Sequence, residues 1–346
     1  MKKLAMLFLL LPLLVLPVSA LTMDAPAVPD SGREWMAGNT DSLAEGFGEI
    51  LQKVVLTLRP DWKDALGVAS RLICIVLILS VVQNTTGAGK EMCNLAGSVA
   101  AALCLLNQTN SMIQLSVQTI QEIHSYGMLL LPVMTAALAA QGGITTSAAL
   151  YAGTAAFNAL LSNVVTGFLI PGVYGYLALS IASCALEEDM LKRLGELVKN
   201  TLGWTLKTLF IVFTSYLSLT GVVSGTTDAA ALKATKVTIS SFVPVVGSVL
   251  ADASEAVLVS AGLMKNAAGL YGILAVFAIV MHPFIQIGIQ YLILRITGAI
   301  CSLFGTKNCS AIIDGFSTAM GFLLAMTGGC TLMVLVSTVC FMKGAM

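Results

Sequence analysis

Two carboxylates in the C-terminal half are the leading candidates for chemistry in this chain. Asp252 and Glu255 are three residues apart, so on a helix they lie on the same face. Such a pair could line the path of an ion or of a polar substrate. A solvated turn at a membrane surface explains the same spacing and is the simpler interpretation.

The other reactive side chains form weaker patterns. His282 lies in an apolar stretch just before Pro283; it could relay a proton, but without a charged neighbour a hydrogen-bonded packing histidine is the better interpretation. The eight cysteines include no C-x-x-C pair, and most lie in apolar stretches, where a thiol is a small apolar side chain. We therefore expect no metal site, no cofactor and no disulfide framework. No nucleotide-binding, hydrolase or metalloprotease motif indicates an enzyme.

Charge is scarce along the whole chain. Of its 346 residues, 57% are hydrophobic and 10% are charged, and the mean hydropathy is +0.90, whereas a soluble domain carries about 25% charged residues. The 18 basic and 18 acidic residues cancel, which excludes the basic profile of a nucleic-acid-binding protein. The composition predicts an all-α, polytopic integral membrane protein.

The N-terminus has the pattern of an exported protein. Residues 1–20 are predicted to be a signal peptide. Lys2 and Lys3 precede an apolar run, and the small residues up to Ala20 form a cleavage site. An uncleaved transmembrane helix is the alternative. Residues 21–65 carry a net charge of −4, as expected for an exported linker.

A short amphipathic helix is predicted within this exported segment, between Asp41 and Leu58, since apolar residues recur there at steps of three and four. Its apolar face could lie on the membrane surface or on a partner. It could equally cover the protein's own membrane domain.

The remaining residues, 66–346, form the predicted membrane domain. Charges are costly in hydrocarbon, so uncharged intervals mark the spans, and these intervals predict seven to eight transmembrane helices. One span is assigned between Glu91 and Glu122. The 64 uncharged residues between Glu122 and Glu187 have room for three, with breaks expected at residues 142–143 and 167–172. Pro283 could divide or distort a later span.

Two connections stand out between the predicted spans. Residues 187–207 form a basic connection, which the positive-inside rule places in the cytoplasm; the side of the C-terminus stays open. Residues 227–265 carry mixed charges around an apolar centre of fifteen residues that contains Pro244 and Gly247. That centre is too short for an ordinary span and predicts a re-entrant or interfacial hairpin. Gly221 and Gly225 form a small-x-x-x-small pair suited to close helix packing.

The same hairpin carries a family resemblance. Lys233-Ala-Thr-Lys236 is followed by Phe-Val-Pro-Val-Val-Gly at residues 242–247, and most of the chain resembles the stage III sporulation protein AE family of endospore-forming bacteria. The resemblance implies a mother-cell membrane protein in an eight-protein assembly that, with a forespore membrane protein, bridges the two membranes around the forespore. It implies no catalytic residues.

We therefore expect a non-enzymatic membrane subunit of a sporulation-specific transenvelope secretion-like channel, which links mother cell and forespore and supports late forespore development. Its partners would be the other membrane proteins of that complex and the lipid bilayer, with no nucleic acid and no small-molecule ligand. The alternative is a stand-alone permease for small solutes, coupled to ions through Asp252, Glu255 and His282. Asp252, Glu255, Pro244 and Gly247 are the candidate path or interface residues.

Overall fold

The computed structural model describes the backbone of residues 25–38, 42–85, 90–186, 188–242, 247–304 and 307–343. Side chains are described for these residues except 59–60, 83–85, 90–91, 94, 218–242, 247–265 and 307. The described backbone is helical, without β-strands. Its helices are α1 (Asp30–Arg33), α2 (Leu43–Thr57), α3 (Arg59–Thr85), α4 (Lys90–Ala140), α5 (Ile144–Val164), α6 (Ile170–Leu186), α7 (Asp189–Phe242), α8 (Gly247–Ser302) and α9 (Lys307–Lys343), with a π-helical turn (Val165–Leu169) joining α5 to α6.

The amphipathic helix predicted near the N-terminus is confirmed as α2. Its buried residues include Ile50 and Val54, which belong to a small apolar cluster with side chains of α8. The rings of Phe47 and Phe277 meet edge to face at a centroid distance of 5.0 Å. The apolar face of α2 therefore covers the protein's own helical bundle. The predicted signal peptide, residues 1–20, lies outside the described residues.

Helix α4 is much longer than the sequence predicts. It runs for 51 residues and passes through Glu122, so the boundary expected at that charge is wrong. The break expected at residues 142–143 is confirmed: α4 and α5 are joined by a turn in which Gly142 has φ of 91°. Glycine adopts this left-handed conformation without steric cost, whereas other residues do not.

The second predicted break, at residues 167–172, is wrong. The backbone stays helical there but widens into the π-helical turn, in which the Ile170 N–H donates to the carbonyl of Val165, five residues back. Pro171 follows directly; it has no N–H, and its ring would clash with the carbonyl of residue 167 in a regular α-helix. The wider turn accommodates the proline without ending the helix. Pro283 likewise lies inside α8, which continues through it.

The described residues contain five helices long and apolar enough to cross a membrane: Asp61–Val82, Leu95–Ala140, Ile144–Leu186, Asn266–Ser302 and Asn308–Lys343. Four of them have 36 or more residues, or more than about 54 Å of helix at 1.5 Å per residue, against about 30 Å of bilayer hydrocarbon. Each of these helices exceeds a single crossing. The count of seven to eight spans therefore stays a prediction.

The core of the bundle lies where α4, α8 and α9 meet. Helices α4 and α8 run in opposite directions, since Gly272 faces Leu130 at one end while Gln290 accepts a hydrogen bond from Gln108 at the other. A Cβ on Gly272 would approach Leu130 to 2.6 Å, so the absence of a side chain permits this close contact. The largest fully buried side chains of the core include Tyr126, Phe316 and Phe341.

Both predicted connections are largely helical in the structure. Residues 189–207 form the first turns of α7, and the hairpin predicted at 227–265 comprises the end of α7 and the start of α8. Gly221 and Gly225 lie on α7, and Gly247, Asp252 and Glu255 lie on α8. Their side chains and Pro244 lie outside the described residues, so the hairpin, the basic cytoplasmic side and the packing role of the two glycines stay predictions.

The contact between α5 and α7 is tested by Gly153→Ala. The added Cβ would overlap the ring of Tyr216, whose hydroxyl donates a hydrogen bond to the Ala149 carbonyl at 2.7 Å. We expect the overlap to lower the free energy of unfolding by about 1–3 kcal/mol, measured as a lower Tm of the detergent-solubilised protein. Gly175→Ala is the matched control, because nothing lies within 4 Å of its Cβ position. An equal Tm for both variants would contradict this close contact.

Candidate functional site

The N-terminal segment, which comprises the described residues 25–38 and 42–58, packs against the middle of α8. A Cβ on Gly32 would lie 2.8 Å from the Ile279 side chain and 3.2 Å from its backbone nitrogen, so only glycine lets the segment approach this closely. Val28 and Ala37 are buried on either side of it. This contact brings Trp35, three residues after Gly32, over the next turn of α8.

A polar cluster lies under Trp35. The indole ring stacks on the His282 imidazole with ring centroids 4.9 Å apart and an interplanar angle of 9°. The His282 Nε2 lies 3.6 Å from the Asp61 Oδ2, and the Gln286 Nε2 donates to the Asp61 Oδ1 at 2.9 Å. The side chains of His282 and Asp61 are only 23% and 18% exposed. We call Trp35, Asp61, His282 and Gln286 the polar cluster.

The cluster borders a cavity of 340 Å³ between α3, α4 and α8. At its floor the Gln108 Nε2 donates to the Gln290 Oε1 at 3.0 Å, while the Gln108 Oε1 is buried without a hydrogen-bond partner among the described residues. Asp64 and Arg71 line its exposed rim. Polar groups of three apolar helices thus converge on one space.

Further hydrogen bonds fasten the N-terminal segment beside the cluster. The Ser31 hydroxyl donates to the Glu122 carboxylate of α4, and the Gln118 Nε2 donates to the other oxygen of that carboxylate at 3.0 Å. The Lys53 Nζ donates to the Met36 carbonyl at 2.9 Å. Glu122, the charge at which the sequence predicts the end of a span, therefore lies within a continuous helix and accepts hydrogen bonds from Ser31 and Gln118.

The arrangement supplies the charged neighbour of His282 that the local sequence lacks. Asp61 accepts from Gln286 and faces His282, so its two oxygens orient side chains of α8 rather than a bound ligand. This geometry fastens the segment to the bundle; it could also move a proton between the imidazole and the carboxylate. The sequence alone does not identify Asp61 as a site residue. The signal available for it is its position at the start of an apolar run.

The structure does not bring together Asp252, Glu255 and His282, the three residues of the permease hypothesis. Asp252 and Glu255 lie on the same helix as His282, but 30 and 27 residues before it, which is about 40–45 Å of helix at 1.5 Å per residue. His282 instead meets Asp61 and Trp35. The ion-coupling triad is therefore not assembled around this histidine.

A second polar space lies at the other end of the bundle. A cleft of 710 Å³ separates the start of α7 from α8 and α9, and residues of the predicted basic connection, including Lys192 and Lys199, line it. On the wall formed by α8 and α9, Arg295 forms an ion pair with Asp314, with an N–O distance of 3.3 Å. Both acidic and basic side chains line its walls. Among the described residues no three His, Cys, Asp or Glu side chains are grouped to hold a metal ion, and all eight cysteines are free.

Long apolar helices around internal polar groups define a multi-pass α-helical membrane protein. The family model of stage III sporulation protein AE matches residues 33–344, and the chain belongs to this family. It is 25% identical to the stage III sporulation protein AE of Bacillus subtilis (strain 168) over 276 residues, which cover 79% of this chain and 69% of the relative. No solved structure matches the chain. Family membership confirms the resemblance carried by residues 233–253 and supports a role in sporulation.

The polar cluster is tested by Asp61→Ala. Loss of the carboxylate leaves His282 without its charged partner and Gln286 without its acceptor, which weakens docking of the N-terminal segment by about 1–3 kcal/mol. We expect trypsin to cleave after the exposed Arg33 roughly tenfold faster or more in the solubilised protein, since about 1.4 kcal/mol corresponds to a factor of ten. The product is identified by N-terminal sequencing.

Asp64→Ala is the matched control, because Asp64 lines the same cavity but is exposed and lies outside the polar cluster. Its cleavage rate should equal that of the unchanged protein. Equal acceleration in both variants, or acceleration in neither, would show that the cluster does not hold the segment.

Proposed function

We propose that this chain is a non-enzymatic membrane subunit of a sporulation-specific, transenvelope secretion-like channel that links the mother cell and the forespore and supports late forespore development. The observation that carries the proposal is the cavity between α3, α4 and α8, where polar side chains of three apolar helices converge. A subunit that only filled a bilayer would have no need of such groups, because buried polar residues in membrane helices are costly and mark paths or contacts. Membership of the sporulation family supports the same role.

The proposed location is the mother-cell membrane that surrounds the forespore. The proposed partners are the other membrane proteins of the same complex, together with the lipid bilayer. Neither a nucleic acid nor a cofactor is part of the proposal. A non-enzymatic role is supported by the polar cluster, in which the Asp61 oxygens face Gln286 and His282 and so serve as structural acceptors.

Asp252, Glu255, Pro244 and Gly247 are proposed to line the path or an interface of the complex. Asp252 and Glu255 occupy one helix at a spacing of three, which is the spacing of residues that share a helix face. Both lie close in sequence to the start of α8, where the family's most recognisable segment connects α7 to α8. Two acidic residues so close to the start of α8 are proposed to meet a neighbouring subunit.

The function is tested by deletion of the gene and by reconstitution. We expect the deletion to abolish heat-resistant spores and the purified protein alone to be inert in liposomes, because a subunit needs its partners. Normal spore yield in the deletion strain would refute the sporulation role. Solute or ion flux by the protein alone would refute the subunit role in favour of a self-sufficient permease.

The acidic pair is tested by the double substitution Asp252→Lys with Glu255→Lys. We expect a loss of heat-resistant spores while the protein still accumulates in membranes, since reversed charges would oppose the passage or the contact that the carboxylates serve. The matched control reverses two exposed acids of the N-terminal segment, Asp30→Lys with Glu34→Lys. It makes the same change in net charge and should leave spore yield unchanged. Normal yield in both strains would exclude the pair from the path and from the interface.

A further inference from the structure

A groove of 600 Å³ lies between α7, α8 and α9. It adjoins the cleft at the start of α7, because Lys199, Arg295 and Thr318 line both spaces. Among the described residues, the charged side chains that line the groove are all basic: Lys199, Lys207 and Arg295. Four acidic residues line the cleft and not the groove: Glu188, Asp189, Glu196 and Asp314. The groove is therefore an electropositive site beside a cleft of mixed charge.

The spacing of residues along α7 places two of these cations on either side of an open position. Lys199, Gly203 and Lys207 follow one another at intervals of four, so they lie on one face of the helix. All three line the groove. Nothing lies within 4 Å of the position that a Cβ on Gly203 would occupy. The two lysines therefore flank empty space on the surface of α7.

The basic side chains of the groove are available to a ligand. Lys199 and Lys207 are exposed and make no ion pair or hydrogen bond within the described part of the chain. Arg295 contacts Asp314 through one nitrogen, and its side chain is 58% exposed, so other N–H groups of its guanidinium can reach a second acceptor. An anion in the groove would receive charge-assisted hydrogen bonds, which are about twice as strong as neutral ones.

The remainder of the groove is largely apolar and aromatic. Its walls include Phe210 of α7, Tyr291 of α8 and Phe322 of α9. A Cβ on Gly329 would overlap the Phe210 ring, so this ring packs directly on the backbone of α9. That contact lies one turn beyond the last residue of α9 that lines the groove. The groove thus has basic side chains where it meets the cleft and an aromatic side chain at its far end.

The helices around the groove have the length and the surface of membrane helices. Helices α8 and α9 contain two of the candidate spans, Asn266–Ser302 and Asn308–Lys343. Large apolar side chains next to the lining residues are exposed, including Val212 on α7 and Leu292 and Ile296 on α8. Such surfaces of a multi-pass membrane protein meet acyl chains. The bilayer is therefore the nearest source of a ligand for this groove.

We propose that the groove binds an anionic phospholipid, with its headgroup against the three basic side chains and an acyl chain along the aromatic walls. A soluble anion would leave the apolar walls without a partner, and a lipid without net charge would leave the cations without a counter-charge. An amphipathic anion matches both parts. Basic pockets between membrane helices recognise anionic headgroups by the same combination, and the volume falls within the roughly 300–1,000 Å³ of ligand sites.

The test measures phospholipid binding to the purified, detergent-solubilised full chain by native mass spectrometry. We expect phosphatidylglycerol to bind about tenfold more tightly or better than phosphatidylcholine with the same acyl chains. Lys199→Gln with Lys207→Gln should weaken phosphatidylglycerol binding by about tenfold or more, because two charge-assisted contacts are lost.

Lys63→Gln with Lys343→Gln is the matched control, since it removes two exposed lysines that do not line the groove. This variant should bind phosphatidylglycerol as the unchanged protein does. The proposal is overturned by equal affinity for the two phospholipids, by full binding in the groove variant, or by equal weakening in both double variants.

A further pair of variants tests the space of the groove rather than its charge. Gly203→Leu keeps the three cations but fills the open position, so it should weaken phosphatidylglycerol binding by about tenfold or more. Gly175→Leu is the control, because nothing lies within 4 Å of its Cβ position and it does not line the groove. Both variants should keep the Tm of the unchanged protein without lipid. Unweakened binding in Gly203→Leu would overturn the proposal.

Glycerol 3-phosphate separates a lipid site from a site for a soluble anion, because it carries the phosphate without acyl chains. It should not displace phosphatidylglycerol at equal concentration. Displacement would overturn the proposal and show that the cations alone determine binding. All of these measurements use purified protein, so they test the groove separately from the role in spore formation.

Discussion

The buried polar groups of this molecule need hydrogen-bond partners within the protein, because they lie between apolar helices that exclude water. The backbone meets this requirement because most of the described residues are helical. Side-chain hydroxyls follow the same rule: Thr297, Thr331 and Thr338 each donate to the carbonyl four residues earlier at 2.7–2.8 Å. The polar cluster solves the same problem between elements, with Asp61 of α3 serving side chains of α8.

This requirement explains why the N-terminal segment belongs to the bundle. Its α2 helix has one apolar face, which packs on apolar side chains of α8 that include Phe277 and Leu274. Docking also places Trp35 over His282, where the indole ring is buried. Gly32 sets the distance of closest approach. The membrane domain and its N-terminal segment are therefore one folding unit in the described structure, joined by apolar burial and by a small number of directional bonds.

The sequence predicted features that depend on neighbouring residues and missed those that depend on distant ones. Apolar periodicity located α2, composition defined the helical membrane class, and a glycine pair located the turn after α4. Glu122 was misread as a boundary because its partner, Ser31, lies 91 residues away. Asp61 was missed for the same reason, since Gln286 is 225 residues distant. Proline was misread as a break because the sequence does not show whether a helix will widen to accommodate it.

The π-helical turn between α5 and α6 has a consequence for the geometry of the whole rod. It holds one residue more than an α-helical turn of the same rise, so the side chains after it are rotated by about 100° relative to those before it, one residue's share of a 3.6-residue turn. Gly153 of α5 and Gly172 of α6 are 19 residues apart, and both face α7, where they meet Tyr216 and Leu202. Five α-helical turns take about 18 residues, so the extra residue of the π-helical turn keeps both glycines on the same face. Removal of one residue from the turn would rotate α6 by about 100° relative to α5 and would turn one of these two contacts away from α7.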